Sequence, residues 1–150
     1  MFHIVDDNLI GGQNTAKIIN LFCDMPLVFS SAIEYLEYVN SPDYQKPDAI
    51  FTDVLMFKMN GYELIEEVLA IHPDQRFVII SGRPDLNHPY KNRACIYLTK
   101  PFYSRDIQKI IQTLKKCELD GPSPETDCAN RCDCSEFALD NWACPHLEAS

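Results

Sequence analysis

Long apolar runs are missing from this chain of 150 residues, and so is a basic leader at its N-terminus. A membrane-spanning helix needs about 20 consecutive apolar residues, and no run approaches that length. The first residues pass directly into a strand-like apolar segment rather than into a charged targeting sequence. These absences argue against a membrane-spanning protein, and we expect a cytoplasmic domain with no membrane partner.

Positive charge is also scarce, with 13 Lys and Arg against 22 Asp and Glu and a net charge of −9. The imbalance lies at the C-terminal end. Residues 118–150 hold 8 acidic residues and one Arg, whereas residues 1–117 hold 14 acidic and 12 basic residues. Because the phosphate backbone repels an acidic segment, the sequence argues against direct binding to nucleic acid.

The cysteines divide the chain at the same place as the charge. Four of the seven lie close together near the end, at Cys128, Cys132, Cys134 and Cys144. A Gly-Pro-Ser-Pro segment at 121–124 precedes them and is typical of a linker. We therefore predict one domain over residues 1–117, a linker over 118–127 and a Cys-rich acidic tail over 128–150.

Within the predicted domain, short apolar runs alternate with amphipathic stretches of helical length. The runs predict strands at residues 2–5, 27–29, 49–52, 77–80 and 95–98. Alternation of strands and helices is typical of βαβ units. We predict an α/β fold with a five-stranded parallel sheet and helices on both faces, of the flavodoxin-like doubly wound kind.

The fourth helical position departs from this regular pattern. Residues 82–94 include Pro84 and Pro89, and a proline inside a helix costs about 3 kcal/mol or more. We therefore expect a short or irregular fourth helix between the fourth and fifth strands.

Polar side chains stand at the ends of four predicted strands: Asp6, Asp7, Asp53, Ser81 and Lys100. The carboxyl ends of parallel strands open onto one crevice, so these side chains should lie close together. Three carboxylates crowded together repel one another unless a cation is present, and Mg²⁺ prefers hard oxygen ligands. A lysine and a hydroxyl beside them suit the oxygens of a phosphoryl group.

The same residues lie in five segments that resemble the receiver domain of two-component response regulators. The segments are residues 4–8, 52–56, 59–64, 79–82 and 97–102, and they follow the order of the family. Phe57 stands where the family usually has proline, and no recognisable output domain follows residue 124.

The resemblance implies a role for each site residue. Asp53 would be the phosphoacceptor, Asp6 and Asp7 would complete the Mg²⁺ site around it, and Lys100 would bind the phosphoryl group. Ser81 and Tyr97 would be the switch residues, and the Lys100–Pro101 peptide bond would be cis.

The resemblance also implies a phosphorelay switch rather than a metabolic enzyme. Its partners would be a sensor histidine kinase or phosphotransfer protein and a downstream protein target that the sequence does not name. Homodimer formation stays open. One alternative is a degenerate receiver that serves as a constitutive docking module, and another is a metal or redox sensor that uses the tail.

The spacing of the tail cysteines fits no standard zinc motif closely. Cys144-Pro145 is a dipeptide that also closes some iron–sulfur motifs. Three states stay open for this segment: a metal site with zinc or an iron–sulfur cluster, free thiols, or disulfides. The metal site would use Cys128, Cys132, Cys134 and Cys144.

Overall fold

The structure is a computed structural model that describes residues 1–82, 94 and 96–120, with side chains as far as Lys115. The strands are β1 (Phe2–Val5), β2 (Leu27–Phe29), β3 (Ala49–Thr52), β4 (Phe77–Ser81) and β5 (Ile96–Thr99). The helices are α1 (Leu9–Ile19), α2 (Ala32–Val39), α3 (Gly61–Ile71) and α4 (Ser104–Asp120).

The five strands form one parallel sheet in the order β2-β1-β3-β4-β5. This order is that of flavodoxin-like folds, so the predicted fold class is confirmed. The predicted short fourth helix and the Cys-rich tail lie outside the described residues.

The sheet has an apolar core on each face, because neighbouring residues along a strand point to opposite sides. One core joins Phe2, Phe51 and Ile80 to α1 and α4. The other joins Ile50, Phe77 and Ile79 to α2 and α3. Strands β1, β3 and β4 are buried along their whole length, which explains why they read as continuous apolar runs rather than alternating ones.

The helix starts follow the polar residues of the sequence. Asn8, Ser31 and Asn60 cap α1, α2 and α3 through their side chains. A reciprocal capping box forms only at α3, between Asn60 and Glu63. At α2, Ser31 accepts from the Glu34 amide, but the Glu34 carboxylate accepts instead from the hydroxyl of Ser30.

Two helix ends differ from the sequence pattern. Helix α1 ends at Ile19, although the apolar pattern extends towards Cys23. Ile19 is the last fully buried residue of that helix. The Leu21 and Phe22 amides donate to carbonyls three residues back, so the chain tightens into a turn there, and Phe22 and Cys23 still pack against the core. Helix α4 continues to Asp120, three residues into the predicted linker.

Candidate functional site

The carboxyl ends of β1, β3, β4 and β5 bring the predicted polar residues to one edge of the sheet. Backbone hydrogen bonds continue past the strand ends and fix the residues there. The Asp53 amide donates to the Val5 carbonyl at 3.2 Å, and the Lys100 amide donates to the Ser81 carbonyl at 3.0 Å. The site residues are therefore held by the sheet itself.

An ion pair between Asp53 and Lys100 lies at the centre of the site. Lys100 Nζ lies 3.0 Å from Asp53 Oδ2 and donates a hydrogen bond to it. The same nitrogen lies 3.8 Å from Asp6 Oδ2. The other Asp53 oxygen, Oδ1, accepts a hydrogen bond from the Leu55 amide at 3.3 Å. One ammonium thus faces two carboxylates, one on each of two adjacent strands.

Asp6 is the most buried of the site carboxylates, with 8% of its side chain exposed. Burial raises its pKa, and the negative charges of Asp53 and Asp7 act in the same direction. A hydrogen bond from the Asn8 amide at 2.9 Å and the positive charge of Lys100 oppose the rise. Asp6 is therefore a carboxylate whose charge is costly without a further cation.

Asp7 faces a different neighbour. Its Oδ2 accepts a hydrogen bond from the Phe57 amide at 3.1 Å, which ties the end of β1 to the loop after β3. Sequence reasoning gave Phe57 no such role, although a signal was present: proline, the usual residue of the family at this position, has no backbone N–H and could not make the contact.

The carboxylates fit a hard divalent cation in their donor chemistry and charge. The site holds three carboxylates and one ammonium, so negative charge is left over, and carboxylate oxygen is the ligand that Mg²⁺ prefers. Among the described residues, however, no three metal-binding side chains already lie together as a formed cation site. Asp7, turned towards the Phe57 amide, would have to share its carboxylate with the metal.

The two predicted switch residues are both buried. Ser81 is the last residue of β4 and is 1% exposed. Tyr97 lies on β5 beside Ile79 of β4, and its ring packs in the core that joins α2 and α3. The Lys100–Pro101 peptide bond is cis, as the resemblance implied.

Gly61 permits the loop after Asp53 to pass close to the strand end. A Cβ atom at this position would lie 2.4 Å from the Asp53 carbonyl oxygen, a distance that no side chain can adopt. The Gly61 amide donates to the Val54 carbonyl at 2.9 Å. The sequence shows Asn60-Gly61 as a turn but does not reveal this contact with the backbone of Asp53.

Comparison with known proteins gives one consistent result. The sequence profile of the response regulator receiver domain matches residues 2–112. An uncharacterised response regulatory protein of Shewanella oneidensis is 29% identical over 122 residues, which are 78% of this chain and 48% of that protein. The two-component response regulator ORR1 of Oryza sativa subsp. indica is 29% identical over 92 residues, 57% of this chain and 38% of that protein. The chain thus spans less than half the length of these two relatives.

Solved structures agree with the sequence matches. A CheY-like receiver domain protein from Methanospirillum hungatei is 25% identical, with a TM-score of 0.69 over 80% of this chain and 97% of that one. A receiver domain protein from Clostridium thermocellum gives the same identity and TM-score over 80% and 98% of the two chains.

In the described part of the chain, no helix is both long and apolar enough to span a bilayer. Fold, strand-end residues and profile all lead to the same assignment: the chain belongs to the response regulator receiver domains of two-component systems.

Proposed function

We propose that Asp53 accepts a phosphoryl group from a phosphohistidine of a sensor histidine kinase or phosphotransfer protein. The observation that carries the proposal is the contact of Lys100 Nζ with Asp53 Oδ2 at 3.0 Å, with Asp6 beside the same nitrogen. Asp53 follows β3 at the carboxyl edge of the sheet and is 15% exposed, so part of its carboxylate is open to a donor. The chain would act as a switch and not as a metabolic enzyme.

The transfer needs a carboxylate oxygen in line with the breaking bond. An Asp53 oxygen attacks phosphorus, a new P–O bond forms, and the P–N bond breaks with its electron pair left on the imidazole nitrogen. Lys100 supports this step because its ammonium neutralises charge on the phosphoryl oxygens. Asp6, Asp7 and Asp53 would hold Mg²⁺, which supplies further charge neutralisation.

Ser81 and Tyr97 would carry the change away from the acceptor. The Ser81 carbonyl accepts from the Lys100 amide, so a movement of Lys100 towards a phosphoryl group acts directly on the end of β4. Tyr97 lies on the neighbouring strand and is 6% exposed. A change in the packing of its ring would alter the adjoining surface and thereby the binding of a downstream protein.

The intact pair of Asp53 and Lys100 favours phosphoacceptance over a constitutive docking module. A docking module has no need of this pair beside Asp6, because a second, buried carboxylate near one ammonium leaves charge that is costly unless a cation or a phosphoryl group is to be bound. The contact between Asp53 and Lys100, the acceptor and the phosphoryl-binding residue of the proposed chemistry, supports this choice.

Labelling with acetyl phosphate tests the proposal. The wild-type chain should gain one phosphoryl group by intact mass spectrometry when Mg²⁺ is present, and lose the gain when EDTA is added. Asp53→Asn should abolish the gain and keep the circular dichroism spectrum of the wild type.

Asp74→Asn is the matched control, because Asp74 is an exposed aspartate that pairs with Lys46 far from the site. It should label like the wild type. Undiminished labelling of Asp53→Asn would refute the assignment of the acceptor.

A further inference from the structure

The outer surfaces of the helices divide the domain into two faces of opposite charge. Helices α1 and α4 pack on the same side of the sheet. Their outer surfaces form what we call the basic face, with four exposed cations: Lys17, Arg105, Lys109 and Lys115. Asp106 is the one carboxylate on these two helices among the side chains that the structure describes.

The opposite side of the sheet carries the reverse charge. Helices α2 and α3 expose five carboxylates and contain no Lys or Arg: Glu34, Glu37, Glu63, Glu66 and Glu67. The small net charge of residues 1–117 therefore conceals a strong separation of charge across the domain. A partner with negative charge would be directed to the basic face and repelled from the other.

The basic face also exposes apolar side chains at the end nearest the site. Leu9 and Ile10 begin α1 and are 54% and 72% exposed, and Tyr103 precedes α4 and is 66% exposed. The guanidinium of Arg105 lies over the Tyr103 ring, 5.0 Å from its centre. Basic residues beside exposed apolar ones are suited to a segment that carries both carboxylates and aromatic rings.

The tail of this chain has that composition. Residues 121–150 hold six acidic residues and one Arg, and they include Phe137, Leu139 and Trp142. The tail follows α4, one of the two helices that form the basic face. We propose that the acidic tail, residues 121–150, binds the basic face of its own domain.

The length of the tail permits this contact. Helix α4 starts at the site edge and runs for 17 residues to Asp120, which is about 25 Å at 1.5 Å per residue. The chain between Asp120 and Phe137 can extend over roughly 50 Å, so Phe137 and Trp142 can return to Tyr103. Repulsion from Asp6, Asp7 and Asp53 would keep the tail along the helices and away from the carboxylates.

Fluorescence of Trp142 provides the test, because it is the single tryptophan of the chain. In the full-length protein, its emission should lie at shorter wavelength than in a peptide of residues 121–150. Arg105→Glu combined with Lys109→Glu should move the emission to that of the peptide and raise acrylamide quenching about twofold or more, since two of the four positive charges on the face are reversed. Salt at about 0.5 M should weaken the contact in the same direction.

A matched control reverses two exposed charges elsewhere, Lys46→Glu with Lys58→Glu, and should leave the emission of Trp142 unchanged. Three results would overturn the proposal: emission equal to that of the free peptide in the wild type, equal shifts in both double variants, or a shift that depends on protein concentration. The last result would assign the contact to the tail of a second copy. The test is independent of phosphorylation, so it can fail while Asp53 remains the acceptor.

Discussion

Acid should destabilise this domain through His3, a fully buried histidine on β1. Its Nδ1 shares a hydrogen bond of 2.8 Å with the Tyr35 hydroxyl, and the rings of Phe29, Tyr38 and Tyr44 surround it. Burial, followed by the positive charge of the N-terminal amino group, lowers its pKa from 6.5 to about 4. The imidazole is therefore neutral in the folded protein.

The lowered pKa fixes both the sign and the size of the effect. Between pH 6.5 and about 4 the unfolded chain binds a proton at His3 that the folded chain does not, so stability falls as the pH is lowered. The stability that neutral His3 contributes is fully present above pH 6.5, the pKa in the unfolded chain, and is completely lost below about pH 4. At about 1.4 kcal/mol per pKa unit, the loss amounts to about 3 kcal/mol.

Urea unfolding at several pH values measures this loss. His3→Phe removes the titrating group but also removes the hydrogen bond between His3 and the Tyr35 hydroxyl, which costs about 1–3 kcal/mol at every pH. The unfolding free energy of the wild type minus that of His3→Phe should therefore fall by about 3 kcal/mol from neutral pH to about pH 4, from a positive value to about zero or below.

His72→Gln is the control, because it removes a half-buried histidine outside β1, and it should keep the acid loss of the wild type. A difference between wild type and His3→Phe that stays constant with pH would refute the reasoning.

Three further changes test the site. Gly61→Ala should lower the unfolding free energy in urea by about 1–3 kcal/mol, because the added Cβ meets the Asp53 carbonyl. Gly82→Ala is the control and should cause no such loss, because the space around Gly82 is open. Equal losses in the two variants would contradict this prediction. Leu55 lies two residues past the acceptor, is exposed, and cannot hydrogen-bond an attacking water. Leu55→Asn should therefore speed hydrolysis of the phosphorylated residue roughly tenfold. An unchanged rate of hydrolysis would show that the side chain at position 55 does not control it. Lys100→Gln should slow labelling by acetyl phosphate by roughly 100-fold; wild-type rates would remove Lys100 from the chemistry.

The strands could be read from the sequence almost to the residue, because each buried strand is a short apolar run bounded by polar residues. The prediction for β4 was 77–80, and the strand extends one residue further, to Ser81. The prediction for β5 was 95–98, and the described strand is Ile96–Thr99. The ends of the helices were harder to predict from the sequence. The end of α1 depends on where the chain turns after Ile19 while Phe22 and Cys23 pack against the core, which is a property of the assembled fold.

The clustering of Asp6, Asp53 and Lys100 was also predictable, because parallel strands open their carboxyl ends on one edge. The individual contacts were not. The Phe57 amide binds Asp7, and Gly61 passes against the backbone of Asp53, because of the path of the loop after β3, and the sequence alone does not give that path. The charge separation between the two helix faces likewise appears only once the topology pairs α1 with α4.

Chemical trapping of the phosphorylated residue tests the central claim most directly. Borohydride reduces an acyl phosphate to an alcohol with release of phosphate, so a phosphorylated aspartate becomes homoserine. After incubation with acetyl phosphate and Mg²⁺, peptide sequencing by mass spectrometry should find homoserine at position 53 and aspartate at positions 6 and 7. Homoserine at position 6 or 7, or none at any of the three under conditions that label the protein, would contradict the account.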